Sequence, residues 1–74
     1  MPSPPHSPEY ARRIAPLFAK RDALTIGDMA TMARMTYDQA RMGCAHMVRH
    51  GVIRRTHRHV QADIDNEAIY EVVR

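Results

Sequence analysis

The stretch TYDQARMGCAHMVRHGVIRR, Thr36 to Arg55, decides the fold. Thr36 is followed three residues later by Gln39, the spacing of a capping box. In that motif the threonine hydroxyl accepts from an otherwise unpaired amide at the helix start, and the glutamine reaches back to the cap. Ala40, Cys44, Met47 and Val48 then fall at i, i+4, i+7 and i+8, the spacing of one buried stripe. Gly51 ends the helix, because glycine enters the left-handed conformation of a C-terminal cap without steric cost. Val52 and Ile53 follow directly and lead into Arg54 and Arg55. The stretch therefore predicts a helix of about four turns over residues 37–50, a glycine stop, and a β segment with a basic exit.

On the N-terminal side, Leu24-Thr25-Ile26 supplies one short strand, and Thr25 with Asp28 repeats the capping-box spacing. The helix it opens is GDMATMAR, with Ile26, Met29, Ala30 and Ala33 facing inward, and Arg34-Met35 turns the chain into Thr36. Further back, Ser7-Pro8-Glu9 is a helix start: a serine cap, a proline in the first turn, and an acid where the helix dipole favours one. This first helix carries Tyr10, Ile14, Leu17 and Phe18 on one side and Arg12, Arg13 and Lys20 around the other. Pro16 interrupts it, which leaves two solutions: a kink near Ala15, or two short helices meeting there. Residues 1–7, MPSPPHS, predict a flexible proline-rich arm, and residues 8–74 a single domain.

On the C-terminal side, Val52 to Thr56 reads as a strand, His57 to Glu67 as a polar loop, and Ala68 to Val73 as a second strand. Tyr70 and Val72 share the face expected to pack on the first and third helices, and Ile69, Glu71 and Val73 share the other. The fold class is α+β, mainly α with a small β-hairpin.

This order resembles the winged helix-turn-helix family, in particular MarR-like and ArsR-like bacterial regulators and small phage regulators. LTIGDMA is similar to the opening of that family's second helix. Thr36, Ala40, Cys44, Met47, Gly51, Val52 and Ile53 follow its passage from recognition helix to wing, and Ile69-Tyr70-Glu71-Val72 resembles the returning wing strand. The resemblance spans roughly residues 8 to 73 and implies three helices with a two- or three-stranded wing. Three features depart from it. Ala40 and Cys44 are smaller than the usual Val and Leu, Pro16 breaks the first helix, and the long dimerisation helices of MarR-like proteins have no counterpart in these 74 residues.

Composition narrows the function. A chain of 74 residues makes one small domain with a modest core. One Phe, three Tyr and no Trp leave little for a base-stacking platform, which disfavours single-strand binding of that kind. Cys44 is the one cysteine, and neither a secretory leader nor an apolar span is visible, so the expectation is a cytoplasmic protein without a disulfide or a membrane partner. The net charge of +3 is divided unevenly: residues 1–60 hold ten Lys/Arg against four Asp/Glu, and residues 61–74 one against four. A basic body with a separate acidic tail suits a polyanionic partner.

The resemblance implies that the helix over residues 37–50 enters the major groove of double-stranded DNA with the side opposite its apolar stripe. That side carries Tyr37, Asp38, Arg41, Met42, Ala45 and Arg49, flanked by Gln39 and His46. By chemistry, Arg41 suits a bidentate contact to guanine O6/N7, Gln39 adenine, Met42 and Ala45 a thymine methyl, and Asp38 cytosine N4. Arg54, Arg55, His57, Arg58 and His59 make a basic wing over residues 54–59, with Arg58 reaching a minor groove and Arg54 or Arg55 holding phosphate. Thr25, Thr36 and Tyr37 add phosphate contacts from the helix starts.

His46 with His50, and His57 with His59, have metal-ligand spacing but no paired cysteine or neighbouring carboxylate, so no metal or other cofactor is expected. No nucleophile with base and orienter, phosphate loop or acid pair is found, so an enzyme is not expected. The expected function is sequence-specific DNA binding by a bacterial or phage transcriptional regulator, with a homodimer or adjacent copies needed for strong specificity. The alternatives are a winged-helix protein-interaction adaptor in replication or RNA polymerase control, and recognition of structured RNA through the same wing.

Overall fold

The computed structural model describes the backbone of residues 7–61 and 66–73 and the side chains of residues 8–56 and 68–73. The predicted arm over residues 1–7 lies outside these apart from the backbone of Ser7. In chain order the elements are α1 (Ser7–Ile14), a 3-10 helix (Ala15–Ala19), β1 (Ala23–Thr25), α2 (Ile26–Ala33), α3 (Tyr37–Arg49), β2 (Ile53–Gln61) and β3 (Asn66–Val72). Among the described residues they form a small α+β domain of three α-helices and a three-stranded antiparallel sheet. Among the described residues, no helix is long and apolar enough to cross a membrane.

Local chemistry sets the helix boundaries. Pro16 sits in the first turn of the 3-10 helix, where its missing N–H costs nothing, so the chain takes the second of the two solutions: α1 ends at Ile14 and a tighter helix follows. Both capping boxes form. Thr25 Oγ1 accepts from the Asp28 amide at 3.0 Å while Asp28 Oδ2 accepts from the Thr25 amide at 3.1 Å. At α3, Thr36 Oγ1 accepts from the Gln39 amide at 3.1 Å and Gln39 Oε1 accepts from the Thr36 amide at 3.0 Å.

The helix ends are also matched. Gly51 has φ 72°, its amide donates to the Val48 carbonyl at 3.0 Å, and the Val52 amide donates to that of Met47 at 2.9 Å, a Schellman motif. The same motif ends α2, with Met35 donating to Ala30 at 2.9 Å, but there the left-handed residue is Arg34, at φ 56°.

The strand order is β1-β3-β2. Leu24 pairs with Tyr70 across β1 and β3, and Ile53, Arg54 and Arg55 pair with Val72, Glu71 and Tyr70 across β2 and β3. Beyond Arg55 the register shifts: Thr56, His57 and Arg58 pass opposite Ile69 alone before His59 pairs with Ala68, so β2 carries a bulge. The sheet extends further than the sequence reading expects. Residues 57–61 and 66–67, read there as polar loop, belong to β2 and β3, and only 62–65 of the connection fall outside the described residues. Backbone ladders do not depend on side-chain polarity, which is why a polar run concealed them.

Ile14, Leu24, Met29, Ala40, Cys44 and Ile53 form the centre of the core, with Tyr70 and Val72 packed against it. One helical position departs from the predicted stripe: Val48 is 40% exposed. Gly43 takes its place on the buried side, because α1 crosses α3 there so closely that a side chain would not fit. A Cβ at Gly43 would lie 2.9 Å from Tyr10 Cβ and 2.8 Å from Ile14 Cδ1. The buried face of α3 is therefore Ala40, Gly43, Cys44 and Met47, rotated toward α1, and Val48 is turned outward. Val52, expected in the strand, precedes β2 and is 46% exposed.

Candidate nucleic-acid interface

Burial of Ala40, Gly43, Cys44 and Met47 leaves the opposite side of α3 outward, and Asp38, Arg41, Ala45 and Arg49 on it are exposed. Arg41, Ala45 and Arg49 are four residues apart, so they follow one another along a single ridge. Met42 lies beside that ridge, half-buried. Tyr37, at the start of the helix, is exposed on the flank that faces the sheet, close enough to Tyr70 to act on its hydroxyl.

That flank forms a concavity of about 350 Å³ between α3, the start of α2 and the sheet. Arg41 and Arg49 of α3 and Arg55 of β2 border it. Ile26, Ala45, Val48 and Tyr70 line it, with buried Cys44 beneath. Arginines from two elements thus border a mainly apolar hollow. Burial pushes the Cys44 thiol up to about 11, opposed by a hydrogen bond from the Tyr70 hydroxyl, so at neutral pH it is a protonated, apolar-like group. Desolvation, followed by the adjacent Cys44, likewise raises Tyr70.

The remaining candidates divide by their local commitments. Gln39 is half-buried and its amide oxygen is engaged at the Thr36 cap, so a bidentate contact to adenine requires opening the capping box. Asp38 Oδ1 lies 3.6 Å from Arg41 Nη2, with both side chains largely exposed, a weak pair that an incoming ligand displaces at little cost. Thr36 uses its hydroxyl oxygen in the cap and keeps the hydroxyl hydrogen to donate.

Arg54 and Arg55 are successive strand residues and so point to opposite faces of the sheet. Arg55 shares the α3 side, where Ile53 is buried, and Arg54 lies on the outer side. There Arg54 Nε and Nη2 reach Glu71 Oε2 at 3.3 and 3.0 Å, directly across the strand pair. The structure therefore brings Arg55, and not Arg54, to the ridge of α3. The backbone of His57, Arg58 and His59 runs through β2 at and after the bulge, and their side chains lie outside the described residues.

His46 takes the other flank of α3. It lines a second hollow with Pro8, Ala11 and Arg12 of α1, Val52 and His50, away from Arg55. The His46 and His50 rings lie 4.3 Å apart, and desolvation, then the neighbouring His50 and Arg49, hold His46 below the ordinary histidine range. Among the described residues no three or more His, Cys, Asp or Glu side chains are grouped to hold a metal ion. Val48, Ile26 and Tyr70 line the concavity without any mark of their own in the sequence, since each counts as core by its apolarity. The signal for Val48 was Gly43, a glycine inside a helix pattern, which marks close packing on its own side. No protein-family model, curated protein or solved structure matches this chain.

Proposed function

We propose that the chain is a winged helix-turn-helix protein that binds double-stranded DNA with sequence preference and regulates transcription in a bacterium or phage. The observation that carries this reading is the convergence of Arg41, Arg49 and Arg55 on one concavity beside the exposed ridge of a capped helix. In support, α2 and α3 follow one another across a short turn, as the two helices of a helix-turn-helix do, and the paired strands β2 and β3 follow α3 in the chain, as a wing does. In this reading α3 enters the major groove, Arg41 donates to guanine O6 and N7, and Arg49 and Arg55, at the border of the concavity, neutralise phosphates. Phosphate neutralisation supplies most of the affinity and makes it fall with salt. A second copy of the chain supplies the specificity that one small domain lacks.

The test is selection from a randomised duplex DNA pool at two salt concentrations, with the parent protein and Arg41→Ala. Recovery of a motif that Arg41→Ala blurs, with affinity falling as salt rises, supports the reading. No enrichment, with the variant indistinguishable from the parent, refutes it. One observation favours a second reading, a protein-binding adaptor: the outer face of the sheet holds Ala23 and Ile69 half-buried, with Val73 exposed at its edge. In that case Ile69→Asp abolishes partner capture and Arg41→Ala leaves it intact.

A further inference from the structure

The exposed ridge of α3 has a gap in its polarity. Arg41 and Arg49 stand at its two ends, and the positions between them on the concave side are Ala45, exposed, and Val48, 40% exposed. Neither side chain carries a donor or an acceptor. A polar base-edge atom pressed against this spot loses its water and gains no partner, which is unfavourable. In the major groove the edges of the four bases present acceptors and donors, the flat C5–H of cytosine, and one projecting apolar group, the C5-methyl of thymine; a 5-methylated cytosine presents the same group.

Resting on the DNA-binding reading above, we infer that Ala45 and Val48 form a seat for the C5-methyl group of a pyrimidine close to the guanine held by Arg41. Four residues of helix advance about 6 Å, which corresponds to about two base-pair steps, so the methylated pyrimidine and the guanine lie within that separation. The inference replaces Met42, half-buried and on the other side of the ridge, as the methyl-reading residue. It also gives a role to a valine that the core does not use.

The experiment measures binding of the parent and of Val48→Ser to the duplex recovered from the pool, with each thymine replaced in turn by deoxyuridine, which removes only the methyl group. Serine removes both methyl groups of Val48 at an exposed helix position, so the fold is retained, and an unchanged melting temperature verifies this. The expected result is a loss of about fourfold at one thymine for the parent, the worth of one buried methyl group, and a clearly smaller loss at that thymine for Val48→Ser, where only Ala45 remains. At the same position cytosine and 5-methylcytosine are compared. Recovery with 5-methylcytosine assigns recognition to the methyl group alone, and no recovery assigns it to thymine with its O4. If every deoxyuridine duplex binds the parent as well as the thymine duplex does, the seat is overturned while DNA binding stands. An equal loss in both proteins removes Val48 from it. Absence of binding to any duplex overturns the inference together with the reading beneath it.

Discussion

Arg13 Nη2 donates to the carbonyl oxygen of Ala33 at 2.6 Å, joining α1 to the end of α2 across twenty residues of sequence. The same nitrogen lies 3.4 Å from the Arg34 carbonyl. The last carbonyls of a helix have no partners within it and carry the negative end of its dipole, so a guanidinium placed there both pairs and neutralises them. The contact also holds the turn that aims α3. Arg13→Ala is expected to lower stability by about 1 kcal/mol in urea unfolding and to speed hydrogen exchange at residues 34–36. An unchanged midpoint with unchanged exchange would remove Arg13 from this role.

Beside that contact, Arg34 holds φ 56° and ψ 53°, the left-handed region that costs a non-glycine residue about 1–2 kcal/mol. Its side chain is exposed, so little packing is lost on removing it. Arg34→Gly is expected to stabilise the protein by about 0.5–1 kcal/mol, the relief being partly offset by the greater freedom of glycine in the unfolded chain. Thermal unfolding checks the sign.

Gly43 is the opposite case, a glycine retained for space. A Cβ there would meet Ile14 Cδ1 at 2.8 Å, Tyr10 Cβ at 2.9 Å and the Tyr10 carbonyl carbon at 3.0 Å, and the last of these is backbone that moves only with α1. Alanine is the better helix former by about 1 kcal/mol, yet Gly43→Ala is expected to destabilise by about 1–3 kcal/mol because α1 and α3 are forced apart. A denaturation midpoint at or above the parent's contradicts the close crossing.

These three positions show which parts of the fold are legible in the sequence. Both capping boxes, Gly51 and the β1–α2 junction are encoded within a few residues, and a linear reading finds them. Arg13 acts on a turn twenty residues away, and nothing local marks it. A stripe drawn through apolar letters passes over glycine and so turns Val48 inward. Once Gly43 is counted as buried, the helix turns by part of a residue step and Val48 leaves the core. The division between Arg54 and Arg55 follows from strand parity as soon as Ile53 is known to be buried. The length of the hairpin does not, since paired polar residues and loop residues look alike in composition.

Cys44 sets a pH dependence. Its thiol titrates at about 11 in the folded protein against an ordinary 9.0, because burial disfavours the thiolate. The folded state therefore keeps the proton longer than the unfolded state. The contribution is present in full below pH 9, declines as the unfolded chain ionises, and is gone once pH has risen through about 11. Compared with Cys44→Ala, which has no proton to lose, the parent is expected to lose stability more steeply over this interval in urea unfolding at stepped pH. Parallel curves would show that the thiol titrates normally.

The division of β2 between its two faces separates the proposed DNA contact from a structural pair. Arg55 borders the concavity with Arg41 and Arg49, whereas Arg54 lies on the outer face, bonded to Glu71 at 3.0 Å. If DNA crosses the concavity, Arg55 neutralises a phosphate and releases its counterion. Arg55→Ala is then expected to weaken binding on every sequence and to reduce the slope of log K against log salt by about 1. Arg54→Ala removes a partly exposed cross-strand pair, which costs about 0.5 kcal/mol of folding stability and leaves the salt slope unchanged. Both variants carry the same change in net charge, so long-range attraction alone would affect them equally. Binding isotherms at four or more salt concentrations decide between the two: a shallower slope for Arg55→Ala alone places the DNA backbone on the α3 side of the sheet. Equal slopes for both variants mean that the wing acts only through total charge.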